Sequence, residues 1–164
     1  MVKIEESGME FEFEEEDIFH IEKSKIYKRI SDGVQIAEFV LKRKNNSIWI
    51  IEAKSSSPQP SNKDKFDKYI SEICSKLVNT ISLTVAILIN RHTDEQNEIS
   101  EKLKSLLING CDIKLILVIK NHKEEWLPSL SDALNQNIIV DKKIWRFELV
   151  VINDKIAREK KIIK

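Results

Sequence analysis

Ile36-Ala37-Glu38-Phe39-Val40-Leu41 and Ile48-Trp49-Ile50-Ile51-Glu52-Ala53-Lys54-Ser55 are apolar runs, rich in β-branched and aromatic residues, and each has a carboxylate embedded in it. Such runs read as adjacent buried strands. The polar connector Arg43-Lys44-Asn45-Asn46-Ser47 joins them, which predicts a β-hairpin over residues 34 to 54. A charged group inside a buried strand is costly unless another charge or a metal compensates it. Two acids and a lysine in one hairpin therefore call for a chemical reason.

Register decides what these residues can do. Side chains alternate faces along a strand, so Glu52 and Lys54 share a face with Ile48 and Ile50, and Glu38 shares one with Ile36, Val40 and Lys42. A three-residue loop, Lys44-Asn45-Asn46, sets Glu38 beside Glu52, with Asn accepting the left-handed conformation. A two-residue Asn45-Asn46 loop instead pairs Glu38 with Ala53 and sends the acids to opposite faces. In the first register, the two carboxylates and the Ala53 carbonyl offer hard oxygen ligands for Mg²⁺ or Mn²⁺. Lys54, on the same face, is then placed to position an attacking water and to steady charge building on a phosphate. In the absence of metal the same residues make an internal Glu–Lys ion pair.

Glu38 followed by Glu52-Ala53-Lys54 resembles the PD-(D/E)XK nuclease superfamily, which includes restriction endonucleases and repair and recombination nucleases. The resemblance covers roughly residues 20 to 90. It implies a restriction endonuclease-like core in which a helix precedes a three-stranded meander, followed by a helix and another strand. It assigns Glu38 as the first acid, Glu52 as the second and Lys54 as the lysine near the nucleophilic water, with metal held by the two acids. The family's first acid is usually Asp, often after Pro, whereas Glu38 follows Ala37. Asp32, in the turn-like Ser31-Asp32-Gly33, competes for that role, and Glu22 is a further acid from the element ahead of the hairpin.

The expected function is metal-dependent hydrolysis of nucleic acid, DNA in preference to RNA. The alternative is a catalytically inactive nuclease-like fold that binds nucleic acid or protein. A homodimer or a protein partner is compatible with either. With Gly8, Gly33 and Gly110 as the only glycines, no phosphate-cradling loop can form, and no G-x-S-x-G nucleophile elbow occurs.

The 164 residues, 41% hydrophobic and 33% charged, suit a single soluble α/β domain spanning 1–164, with a mixed central β-sheet flanked by helices. Leu83 to Ile89, the longest apolar stretch, is too short to cross a membrane. No apolar targeting core follows Met1, and Cys74 and Cys111 lack CxxC spacing, which points to reduced thiols and a cytoplasmic protein without a membrane partner. His20, His92 and His122 are scattered and read as surface or packing residues. Net charge is zero, but the acidic segment 1–17 holds Glu5, Glu6, Glu10, Glu12, Glu14, Glu15, Glu16 and Asp17 against Lys3 alone, leaving the remainder basic. Basic clusters occur at Lys23 to Arg29, Lys42 to Lys44, Lys63 to Lys68 and Lys155 to Lys164. A phosphate channel requires them to converge on the acids.

Elsewhere the pattern predicts an edge strand at Met9 to Glu14 with its acids exposed, and an ambiguous 15–31. After the turn-rich Ser55 to Asn62 comes an amphipathic helix from Lys63 to Asn79. A central strand is expected at Ile81 to Asn90, and a helix from a Thr93 or Asp94 cap to Asn109. Then follow a strand at Ile113 to Lys120, a helix at Trp126 to Gln136, a strand at Trp145 to Asn153, and a basic tail of about 155–164, frayed or weakly docked.

Overall fold

A computed structural model describes residues 1–92 and 98–164. Among these residues the chain is α/β, with a five-stranded mixed sheet between two unlike covering layers. Its strands, in spatial order, are β3 (Ile18–Phe19), β4 (Phe39–Arg43), β5 (Ser47–Lys54), β6 (Asp112–Ile119) and β7 (Glu148–Asn153). The first three form an antiparallel meander, and β6 and β7 then run parallel to β5.

The helix expected ahead of that meander lies inside it: α1 (Lys25–Ile30) sits between β3 and β4. The preceding segment is instead a hairpin, β1 (Val2–Glu6) with β2 (Met9–Phe13), turned by Ser7 and Gly8 at φ 52° and 71°. Both values are left-handed, as a two-residue hairpin turn requires. Ile4, Met9, Phe11 and Phe13 cover the sheet face that carries Phe39, Leu41, Ile51, Ala53, Ile116 and Val118. The acidic segment 1–17 is thus largely a folded cover, with Glu5, Glu14, Glu15 and Glu16 exposed and Glu6 and Glu12 partly covered.

Helices cover the other face. The dominant one is α2 (Lys63–Leu88), joined by α3 (Glu101–Asn109) and α4 (Leu127–Asn137). The strand expected at Ile81 to Asn90 does not exist: it is the second half of α2. Lys63 to Leu88 contains neither Gly nor Pro, so nothing stops the helix. Burial of Ile70, Ile73, Leu77, Thr80, Ile81, Thr84 and Ile87 keeps the helical period through the apolar run. Thr80 and Thr84 donate back to the carbonyls of Lys76 and Thr80, which removes the polar cost of burying them. Leu83 to Ile89 falls at the end of α2, a helix of 26 residues that is long and apolar enough by length and composition to cross a bilayer but whose apolar face packs in the core of this domain.

Three smaller expectations also shift. The helix ending at Asn109 starts at Glu101, capped by Ser100 Oγ accepting from Leu103 N at 3.2 Å; Thr93 and Asp94 lie outside the described residues. Residues Ile139–Trp145 form α5, so the last strand begins only at Glu148. The tail is not loose. Asn153 caps α6 (Asp154–Glu159), with Oδ1 accepting from Ile156 N at 3.0 Å, and Ala157, Ile162 and Ile163 are buried against the hairpin side of the sheet. Cys74 and Cys111 are free thiols.

Candidate functional site

The β4–β5 register is the one that unites the acids. Phe39 faces Ile51 and Arg43 faces Ser47, leaving Lys44-Asn45-Asn46 as a three-residue loop with Asn45 and Asn46 at φ 60° and 53°. Glu38, one residue ahead of β4, continues this pairing by donating its N–H to the Ile51 carbonyl at 3.1 Å. Glu38 and Glu52 therefore share the helix-covered face with Ile36, Val40, Ile48 and Ile50. Their side chains are 5% and 0% exposed.

Helix α2 anchors the strand entry. Thr80 Oγ1 accepts from Ala37 N at 2.8 Å, and Asn79 Nδ2 donates to the Gln35 carbonyl at 2.9 Å. Lys76, one turn before Thr80, reaches Glu52 Oε1 at 2.9 Å, and Lys54 Nζ lies 2.8 Å from the same oxygen. Glu52 Oε2 is buried with no hydrogen-bond partner. Tyr69 lies on the same stripe of α2. Its hydroxyl is buried and unpartnered, and burial together with the charge of Glu52 raises its pKa well above that of a free phenol.

Glu38 has a different environment. Its carboxyl hydrogen-bonds to Glu22, while Oε2 is buried without a partner. Burial, that bond, and the charges of Glu52, Glu22 and Glu6 push its pKa up to about 8, so Glu38 carries a proton at neutral pH. Four acidic side chains thus meet at one end of the sheet: Glu6 from the end of β1, Glu22, Glu38 from just ahead of β4, and Glu52 from β5. Lys76 is held charged by Glu52, which outweighs the cost of its own burial.

Of the sequence-derived candidates, Glu38, Glu52, Lys54 and Glu22 come together. Asp32 is exposed in the turn after α1 and takes part in no described ion pair. The Ala53 backbone lies beside Glu52, and its carbonyl already accepts the Ser7 hydroxyl at 3.0 Å. Lys76, Tyr69, Glu6 and His20 were not legible as site residues. A signal existed for two of them: Tyr69, Ile73, Lys76 and Thr80 recur at helical spacing, which sets a lysine on the apolar stripe. His20 packs its ring edgewise on Phe39 at 6.3 Å, yet also stands among Glu6 and Glu22.

The basic clusters converge only in part. Lys42 to Lys44 lie at the loop end of the hairpin, far along β4 from Glu38, where Arg43 donates to the Lys160 and Lys161 carbonyls and stacks on Trp49. The carboxy-terminal cluster is split: the backbone of Lys160 and Lys161 reaches that end, whereas Lys155 follows Asn153, which stands level with Ile119 and Lys54 at the site end, and Lys155, Arg158 and Lys164 are paired to Glu124, Asp154 and Glu10. Lys63, Lys65 and Lys68 are exposed in the turns of α2 that precede Tyr69 and belong to the site end. Comparison of the chain with protein-family models, curated proteins and solved structures finds no match.

Proposed function

We propose that this protein is a metal-dependent nuclease of the PD-(D/E)XK type, hydrolysing phosphodiester bonds of nucleic acid, with DNA preferred on the strength of the resemblance. The observation that carries the reading is the hairpin register: it sets Glu38 and Glu52 on one buried face, with Lys54 closing the strand beside them. The meander β3-β4-β5, followed by α2 and parallel β6, supports a restriction endonuclease-like core, with α1 displaced from its expected position.

The donor set fits a hard divalent cation. Glu38 Oε2 and Glu52 Oε2 are buried oxygens without partners, a cost that an Mg²⁺ or Mn²⁺ ion would remove. Glu38 and Glu52 would hold the ion, with the Ala53 carbonyl as third ligand through the lone pair that Ser7 leaves open. When bound, such an ion lowers the pKa of water and offsets charge on a phosphate. The side chains do the rest. Lys76, paired to Oε1 at 2.9 Å, fixes the Glu52 carboxylate in place. Lys54, whose side chain is 30% exposed, is free to turn its ammonium from Glu52 toward a phosphate and to stabilise the charge that develops there. Lys63, Lys65 and Lys68 hold the nucleic-acid backbone. Free thiols and a folded acidic cover fit a cytoplasmic protein.

A second reading has one observation behind it. Two ammonium groups already satisfy Glu52 Oε1, an arrangement stable without any ion, as expected of an inactive nuclease-like fold that binds nucleic acid, a protein partner or a second copy of itself. Incubation with supercoiled, linear and single-stranded DNA and with RNA, in Mg²⁺ or Mn²⁺, separates the two. Cleavage that falls about a hundredfold or more in Lys54→Ala, with affinity retained, supports the nuclease. Binding without cleavage in either metal supports the inactive module, and loss of both moves the function to a protein partner.

A further inference from the structure

The β1–β2 hairpin does more than cover the sheet. Its turn reaches the site end at three successive residues: Glu6 enters the carboxylate group, the Ser7 hydroxyl bonds to the Ala53 carbonyl, and the Gly8 carbonyl accepts from Lys120 Nζ at 2.8 Å. Gly8 suits this turn because its φ is +71°, a conformation that strains residues with a Cβ. The hairpin is therefore fastened at its turn, and this fixes Glu6.

Ligand atoms of Glu6, His20 and Glu22 lie within 4.8 Å of one another, close enough for one ion. Two further observations point to a ligand there. His20 Nε2 is shielded from solvent and has no hydrogen-bond partner. The Glu38 side chain, 5% exposed, turns its carboxyl toward Glu22 and leaves Oε2 unpartnered. Lys23 is the cation currently nearest Glu6, at 3.6 Å, and its side chain is 60% exposed, so it can withdraw into water at little cost. An imidazole in a carboxylate site selects against Mg²⁺, which prefers all-oxygen shells, and in favour of Mn²⁺ and later divalent metals.

We propose that Glu6, His20 and Glu22 form a second divalent-cation site, selective for Mn²⁺ over Mg²⁺, to which the amino-terminal hairpin supplies a ligand. The site uses none of the atoms of Glu52, so its occupancy is read separately from that of the Glu38–Glu52 pair. It neighbours that pair through the Glu22–Glu38 hydrogen bond, so Glu22 couples the two positions.

The test is Mn²⁺ titration of the full chain followed by pulsed electron paramagnetic resonance, which reads a nitrogen bound to manganese directly. The wild-type protein should show ¹⁴N modulation from one imidazole. His20→Gln should abolish it, and Glu6→Gln should weaken the ion giving the signal by roughly tenfold or more, since a direct ligand matters at least as much as an outer partner. Glu6 is half-exposed at the end of β1, so this variant keeps the core intact, and circular dichroism verifies both folds. Glu52→Gln should leave the ¹⁴N modulation in place even if it removes another manganese. Bound manganese without ¹⁴N modulation in the wild type, modulation surviving in His20→Gln, or no manganese binding at all would each overturn the proposal. If Glu52→Gln changes nothing in metal binding while the nitrogen signal persists, the second site stands and the Glu38–Glu52 site falls.

Discussion

The two hairpins of this protein handle the same residue type in opposite ways. In β1–β2, glutamates alternate with Ile4, Phe11 and Phe13, so the apolar side chains enter the core and most of the acids meet water or lysines. In β4–β5 and its lead-in, Glu38 and Glu52 lie on a face that α2 covers. The first hairpin spends almost no free energy on its charges. The second must compensate two buried carboxylates, and it recruits Lys54, Lys76, Glu22 and a retained proton to do so. Stability explains the first arrangement fully, and it gives no reason for the second.

Removing either buried anchor should be severe. Phe11→Ala deletes a fully buried ring that stacks edgewise on Phe39 at 5.1 Å, and should cost about 3–5 kcal/mol in denaturant unfolding. Glu52→Ala should cost a similar ~3–5 kcal/mol, since it strands Lys76 beside the core, with Lys54 recovering part of the loss by turning to solvent. A loss below ~1 kcal/mol for Glu52→Ala would mean that the pair is not buried as described.

Glu38 gives a sign as well as a size. Its pKa stands at about 8 when folded against an ordinary 4.5, so between these values the folded chain keeps a proton that the unfolded chain has shed. Unfolding free energy should therefore fall as pH rises through that window, and Glu38→Gln should remove this contribution to the slope. Urea melts at about pH 5 and about pH 9 measure it directly. An unchanged slope in the variant would assign the titration elsewhere.

The smallest effect belongs to the outer face of β1–β2. Glu5 and Glu10 stand opposite each other across the strands as a like-charged pair. Glu5→Gln should shift stability by no more than about 0.5 kcal/mol, and toward greater stability. A larger loss would show that these acids are bound to something on the surface.

What was legible in the sequence follows the same division. Apolar runs rich in β-branched and aromatic residues on either side of a polar connector marked the β4–β5 hairpin, and the Lys44-Asn45-Asn46 loop that unites Glu38 with Glu52 was one of two registers the residues allowed. Ile81 to Asn90 misled because an apolar run has no period, and a buried helix and a buried strand then look alike until length and missing breakers are weighed. Ile162 and Ile163 were overlooked because the lysines around them suggested a solvated tail, while Asn153 had already capped a helix that returns them to the core. Lys76 and Glu6 reach the site by tertiary contact alone. Nothing local to either residue announces a partner, Glu52 for Lys76 and Glu38 for Glu6, that lies 24 or 32 positions away along the chain.

The central claim, that the Glu38–Glu52 pair is built to exchange a proton for a divalent cation, has one direct measurement. Isothermal titration calorimetry of Mg²⁺ and Mn²⁺ at neutral pH, in two buffers of different ionisation heat, counts the protons released on binding. Binding should release about one proton from Glu38 in the wild-type chain and almost none in Glu38→Gln, and the binding event should be lost in Glu52→Gln. No binding at millimolar metal, or binding with no proton released, would contradict that claim and leave Glu52, Lys54 and Lys76 as an ion-pair cluster.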